Sequence, residues 1–313
     1  MHRYAMSMTA VLVYETKAKK RICLDLKKKV FTKLVEIKPD LFLNIRDKIT
    51  DTFILSGTHD VDVTQTILFL AEKKGYNQVF LDIGANIGLI SYKVANHFEK
   101  LYAYEPNPRL ILVLKANLYD LLSKKLTVKP YALGKGTRKT DLTVPLLNYG
   151  GAFINNDFNS LTRKQLASKD SLRSIDSSTH FSISVNQIDA LSEFRKIFNA
   201  NKVSDKYIIK IDCEGMDQFL IEELLKALPR KVNCAIVFEN HSRKKLNPNL
   251  TKLIVDMNLF EIQKAEPWEI HDVKLVKLLK AVWGKSRINL IKVDIREKLT
   301  VANYLLTTKE IKL

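Results

Sequence analysis

Two stretches of the chain carry residues whose types and spacing can do chemistry. The first reads Asp82-Ile-Gly84-Ala-Asn86-Ile-Gly88. Glycines let a backbone turn tightly and approach a ligand, and the N–H groups of a helix's first turn then face that ligand. The chain holds only ten glycines in 313 residues, about half the average usage, so two of them in one turn are informative. The dinucleotide fingerprint G-x-G-x-x-G needs a second glycine where a pyrophosphate comes close, and this chain has Asn86 there. Asp82, ahead of the first glycine, suits a cationic or amino-bearing ligand better than a phosphate. The second stretch is Tyr104-Glu-Pro-Asn-Pro108, with Glu105 seventeen residues beyond Gly88. A carboxylate there accepts hydrogen bonds from two ribose hydroxyls, each charge-assisted bond contributing roughly 1.5–3 kcal/mol. Together the two stretches describe a site for a nucleoside without a diphosphate beside the glycine turn. S-adenosylmethionine, with its adenine, ribose, sulfonium and amino acid terminus, meets that description.

Such a site needs strands that end beside one another. Residues 78–82 form a short apolar run between turn signals, which predicts a strand buried on both faces of a parallel sheet. The pattern then alternates: helix 87–98, strand 101–104, helix 109–123 and strand 126–132. It resumes with strand 207–211, helix 217–228, strand 233–238, helix 249–257 and strand 259–263. Ahead of these, apolar residues at helical spacing predict an amphipathic helix, capped by Asp60 or Asp62 and stopped by Gly75. Short connections force right-handed crossovers, so the expected fold class is α/β, a doubly wound and mostly parallel Rossmann-like sheet. Residues 135–206 exceed an ordinary connection several-fold. They read as an insertion with strands at 140–146 and 180–185, and the Ser-, Asn- and Lys-rich span between them reads as a mobile flap. Residues 1–55 read as an extension packed on a main domain of 56–313.

The chain also resembles the FkbM family of S-adenosylmethionine-dependent methyltransferases. The matching pieces are LDIGANIGL (81–89), YEPNP (104–108), Asn117-Leu118, Ala132-Leu-Gly134 and Ile209-Lys-Ile-Asp-Cys-Glu-Gly215, in that order, over roughly 55–265. Cys213 departs from the small β-branched residue more usual there, and the C-terminal third is lysine-rich. The resemblance implies a class I methyltransferase sheet. It implies further that Asp82, Gly84, Ala85, Asn86 and Gly88 wrap the methionyl part of the cofactor, that Glu105 holds the ribose, and that Asn107 and Ala132 lie near the adenine. Lys210, Asp212 and Glu214 would line the place where the methyl leaves. A structural salt bridge is the competing reading for Lys210, since an ammonium on a buried strand needs a carboxylate partner in any case.

Methyl transfer from a sulfonium is an in-line displacement in which positioning is the main task. A hydroxyl nucleophile also gains from a base, and Asp212, Glu214, Glu239 and His241 are the candidates. His241 has a suited intrinsic pKa, although a histidine before Ser242 and Arg243 is more often an exposed loop residue. His59 and His180 are weaker candidates. The family implies hydroxyl substrates, so the expected reaction is O-methylation of a sugar, glycan or glycolipid.

The formal charge of +17 is concentrated at the ends, with ten Lys and Arg against four Asp and Glu in 1–40 and fifteen against eight in 241–313. Basic ends favour an anionic acceptor and allow peripheral contact with lipid head groups. Three other functions compete, of which a non-catalytic basic binding module would make the cofactor constellation a coincidence. An NAD-dependent oxidoreductase is disfavoured by Asn86 and the missing third glycine. A nucleic-acid methyltransferase is disfavoured because Asp212-Cys-Glu-Gly stands where Asn/Asp-Pro-Pro-aromatic or Pro-Cys would be needed. Three cysteines, Cys23, Cys213 and Cys234, lack CxxC spacing. No disulfide framework or metal site is therefore expected, and the reducing cytoplasm is the expected compartment. No membrane span or signal peptide is expected from the apolar runs.

Overall fold

The computed structural model describes residues 41–43, 53, 58–122, 124–146, 148–169, 175–241, 243–265 and 287–311. Of the 1–55 extension, only 41–43 and Phe53 are among them, and Cys23 lies outside the described residues. In chain order the elements are helix α1 (Val61–Lys74), strand β1 (Val79–Ile83), α2 (Leu89–Val94), β2 (Lys100–Tyr104), α3 (Pro108–Asn117), β3 (Leu126–Lys129) and β4 (Ala132–Gly134). Next come β5 (Arg138–Pro145), β6 (Phe153–Ile154), α4 (Arg163–Lys169), β7 (His180–Asp189), α5 (Ala190–Ala200), β8 (Lys206–Ile211) and α6 (Asp217–Ala227). The last are β9 (Asn233–Asn240), α7 (Pro248–Leu253), β10 (Asn258–Ala265), β11 (Arg287–Lys292) and β12 (Ala302–Thr307).

Every residue of β1 is buried, because apolar layers cover both of its faces. Val79, Leu81 and Ile83 enter the layer that contains Phe194 of α5 and Leu220 of α6. Phe80 enters the opposite layer, with Ile67 of α1 and Val94 at the end of α2. Period two therefore puts Asp82 on the α1/α2 face, and Lys210 of β8 on the same face as its neighbour Ile208. Parallel pairing sets Asp82 opposite Lys210 in register. The two charges are brought together by sheet geometry.

The main sheet runs β11-β10-β12-β9-β8-β1-β2-β3. Strands β3, β2, β1, β8 and β9 are parallel. β12 lies between β9 and β10, antiparallel to both, and β11 closes the edge antiparallel to β10. The chain steps outward from β1 to β2 and β3, then returns to β8 on the other flank. The order thus reverses between β1 and β8, and open α/β sheets bind ligands beside the carboxyl ends at such a switch point.

The structure refines several sequence expectations. The strand expected at 126–132 is two, β3 and β4, separated by Pro130, which has no N–H to give to a ladder. The helix expected at 87–98 is α2 followed by a 3₁₀ turn, and that at 109–123 is α3 followed by another. The insertion supplies β7, β5 and β6 of a second sheet, β4-β7-β5-β6, whose β4 precedes it, together with α4 and the unexpected helix α5. Asp189 caps α5 by accepting the Ser192 N–H at 2.9 Å.

Candidate active site

The glycine turn leaves the end of β1 with Gly84 at φ 79°, Asn86 at φ 52° and Gly88 at φ 83°. A side chain at Gly84 is barred twice over, by its left-handed backbone and by the Asp212 carbonyl, on which a Cβ would land. The first turn thus presses against the end of β8. Asn is the residue other than glycine that best tolerates the left-handed region, and the Asn86 Oδ1 accepts the Ile87 N–H at 2.7 Å. Gly88 lies outside the cavity described below. A Cβ there would crowd Leu114 and Leu118, so its work is close packing of the turn on α3. Asn117, near the end of α3, braces the turn by donating from Nδ2 to the Ile87 carbonyl at 2.8 Å.

Glu105 follows β2 and is buried. Its Oε2 accepts the Asn86 N–H at 2.9 Å and its Oε1 the Asn107 N–H at 2.8 Å. The carboxylate locks the two turns together and still borders the cavity. Burial raises its pKa to about 7, against the lowering effect of those two backbone bonds. Asn107 is fully buried and caps α3, its Oδ1 accepting the Arg109 N–H at 3.0 Å. Its side chain is not part of the cavity wall, so the expected adenine contact gives way to a helix cap.

Lys210 Nζ donates to the Gly84 carbonyl at 2.8 Å and lies 3.4 Å from both Asp82 Oδ1 and Asp212 Oδ2. Burial works against its charge, but Asp212 and Asp82 outweigh it and hold the ammonium above the usual lysine range. A lysine so held stays protonated and cannot be a base; it is the bridge between the β1 and β8 turns. Asp82 Oδ2 accepts the Ser91 hydroxyl at 2.7 Å, whereas its buried Oδ1 accepts no hydrogen bond.

Beyond Asp212 the chain turns sharply, with Glu214 at φ 45° and Gly215 at φ 97°. The Gly215 N–H is taken up by Asp217 Oδ2 at 3.1 Å. Burial lifts Asp217 to about 7, with His241 pulling the other way. His241, expected either as a base or as an exposed loop residue, is neither exposed nor part of the cavity wall. Its ring is buried behind the wall, 3.2 Å from Glu239, 3.8 Å from Asp217 and 4.0 Å from Glu214. His180 is buried and not part of the cavity wall, its ring edge-on to that of Phe153.

Asp82, Gly84, Ala85, Asn86, Glu105, Ala132, Lys210, Asp212 and Glu214 all border one cleft of about 320 Å³. Its volume lies within the range of small-molecule sites. Glu239 and His59 border it as well. Contributors not foreseen include Tyr131 at the β3–β4 break, Met216 before α6, and residues 148–154 of the insertion. Nothing in local sequence pairs 148–154 with Ala85 and Asn86, but the break at Pro130 does mark where Tyr131 turns inward. The donor set fits S-adenosylmethionine. Glu105 sets a carboxylate on the wall of the kind ribose hydroxyls need, Ala132 and Leu133 are apolar, and the buried Asp82 Oδ1, 3.4 Å from the Lys210 ammonium, accepts no hydrogen bond.

A methyltransferase FkbM domain matches residues 82–262. No curated protein matches the chain. Among solved structures, the chain is similar to an O-methyltransferase from Bacillus cereus in complex with SAH, at 9% identity and TM-score 0.39, covering 97% of this chain and 96% of that one. It is similar to an rRNA methylase from Streptococcus thermophilus at 9% identity and TM-score 0.35, covering 79% and 94%. A precorrin 8w decarboxylase from Methanobacterium thermoautotrophicum is similar at 12% identity and TM-score 0.36, covering 86% and 100%.

Proposed function

This chain belongs to the FkbM methyltransferase family, and on that premise we propose that it is an O-methyltransferase acting on a hydroxyl of a sugar, glycan or glycolipid. S-adenosylmethionine is its cofactor and, when bound, supplies an electrophilic methyl group on a positively charged sulfur. Glu105 and Asp82 hold and orient that ligand at the ends of β2 and β1. Lys210 keeps Asp82 and Asp212 side by side, so the cofactor turn and the acceptor side are one rigid unit.

The observation that carries this reading is the convergence of Asp212, Glu214 and Glu239 on the cleft that the glycine turn and Glu105 also border. A hydroxyl is a poor nucleophile while protonated, and a base in hydrogen-bond reach contributes roughly 10²- to 10⁴-fold. Asp212 is the favoured base: its side chain is 30% exposed and borders the cleft beside Lys210. His241 serves the carboxylates from behind rather than the acceptor directly. The wall bears Asp60, Asp82, Glu105, Asp212, Glu214 and Glu239 against the single ammonium of Lys210. That charge supports a neutral or amine-bearing polyhydroxy acceptor over the anionic one favoured by the basic ends, because like charges in a cleft disfavour association.

Among the described residues no helix is long and apolar enough to cross a membrane. A cytoplasmic site of action belongs to the same reading, in keeping with the free thiols of Cys213 and Cys234.

The test is transfer of tritiated methyl from S-adenosylmethionine to neutral, amine-bearing and carboxylated glycans and to RNA. The reading expects label in the neutral or amine-bearing glycans as an ether that survives mild alkali. Label released by alkali, or found in RNA alone, would contradict it.

A further inference from the structure

We propose that Asn159 of the insertion is a positioning residue that clamps the turn at 214–215 and thereby fixes the acceptor side of the cleft. The inference rests on the reading of Glu214 as an acceptor-side residue. Glu214 is one of three residues other than glycine with positive φ among those described, at 45°. Such a conformation costs on the order of 1–3 kcal/mol and persists only where the surroundings over-determine it.

Part of that constraint comes from outside the catalytic strands. The Asn159 Nδ2 donates to the Glu214 carbonyl at 3.0 Å, and the neighbouring Ser160 N–H donates to the Gly215 carbonyl at 2.9 Å. The same Nδ2 donates to the Ile154 carbonyl at 3.0 Å, and Oδ1 accepts the Leu161 N–H at 2.9 Å. One carboxamide therefore ties together the turn after β8, the end of β6 and its own loop. Ile154 and Phe153 border the cleft, as does Glu214. The fit against the turn is close, since a Cβ at Gly215 would overlap the Asn159 Oδ1. Phe158 seats the loop further, its ring 4.7 Å from that of Phe219 on α6.

Only a carboxamide meets this arrangement, with two N–H groups for two carbonyls and an oxygen for one N–H. Aspartate keeps the shape and the acceptor but sets a carboxylate against the Glu214 and Ile154 carbonyl oxygens. The hydrogen bonds of Asn159 go to Glu214, Ile154 and Leu161 and those of Glu105 to Asn86 and Asn107, so releasing the clamp leaves the cofactor half of the cleft intact. The segment expected as a free flap is thus part of the acceptor site.

The experiment compares the full-length protein with its Asn159→Asp variant by amide hydrogen exchange, calorimetry with S-adenosylhomocysteine, and tritiated methyl transfer to the neutral glycan. Exchange at Ser160 and Gly215 should quicken at least tenfold, while amides of the β5–β7 pairing are unchanged. Affinity for S-adenosylhomocysteine should stay within twofold, and kcat should fall at least tenfold with little change in the KM for S-adenosylmethionine. Unchanged exchange at both amides would overturn the clamp whatever the acceptor is. Quickened exchange with full kcat would overturn its link to the acceptor side. A wild-type protein that labels no glycan would instead refute the proposed substrate class, and the exchange and calorimetric arms would still decide the clamp. If Asn159→Asp fails to fold, Gly215→Ala, which pushes on the same carboxamide from the other side, should show the same exchange pattern; protection equal to wild type would overturn the proposal.

Discussion

Glu105 is the residue in which structure and binding meet. Both its oxygens are used by backbone N–H groups, and burial still lifts it to about 7 from an ordinary 4.5. The folded state therefore holds this proton more tightly than the unfolded chain does. Its contribution to stability is full below about 4.5, falls as pH rises toward about 7, and is constant above that. In Glu105→Gln, which cannot ionise, melting temperature relative to wild type should rise between these two values and level off beyond them. A difference that does not vary with pH would contradict the burial of a titrating carboxyl. Lys210 gives a second prediction. Replacing it by methionine leaves Asp82, buried to 1% exposure, beside Asp212 with no cation. Removing one partner of a buried ion pair costs on the order of 3–5 kcal/mol. Denaturant unfolding of Lys210→Met should show a loss of that size, and a loss below about 1 kcal/mol would make the pair dispensable.

At the scale of elements, the glycine turn works because β1 and β8 end side by side. Gly84 and Gly136 share a left-handed backbone, at φ 79° and 72°. A Cβ at Gly136 meets nothing, while one at Gly84 meets the Asp212 carbonyl. Gly136→Ala should cost about 1 kcal/mol of strain and leave affinity for S-adenosylhomocysteine intact, whereas Gly84→Ala should abolish that affinity. Equal behaviour of the two variants in binding and melting would contradict the close approach of β8. This turn was legible because glycine is scarce in the chain and because Asp82 and Glu105 stand at the ends of two successive apolar runs that read as strands. Helix α5 was not read, although Phe194, Ile197 and Phe198 form its buried stripe. Its stripe lies within the insertion, which was read for strands alone. The clamp at Asn159 and the wall at 148–154 were beyond reach for a different reason. They depend on contacts with residues more than fifty positions away, which local periodicity does not encode.

Across the whole molecule, the doubly wound sheet was legible as strand and helix in alternation, but its last two strands, β11 and β12, were not. β12 pairs on both sides, with β9 and β10, and buries Tyr304, Leu305 and Leu306. An antiparallel strand that enters between two earlier ones has no local signature. Deleting residues 300–313 would open two long apolar edges, so the truncated chain should aggregate; a monodisperse peak on gel filtration would contradict this. The charge also divides by region: the two ends of the sequence are basic, the cleft wall bears mostly carboxylates, and the donor itself carries positive charge. The most direct test of that cleft is titration calorimetry with S-adenosylhomocysteine on wild type, Glu105→Gln and Asp212→Asn at pH 8. One site per chain is expected, weakened at least tenfold in Glu105→Gln, a loss of the ~1.5–3 kcal/mol of a charge-assisted bond, and altered less than twofold in Asp212→Asn. Unchanged affinity in Glu105→Gln, or no binding in the wild type, would contradict the assignment of this cleft as the cofactor site.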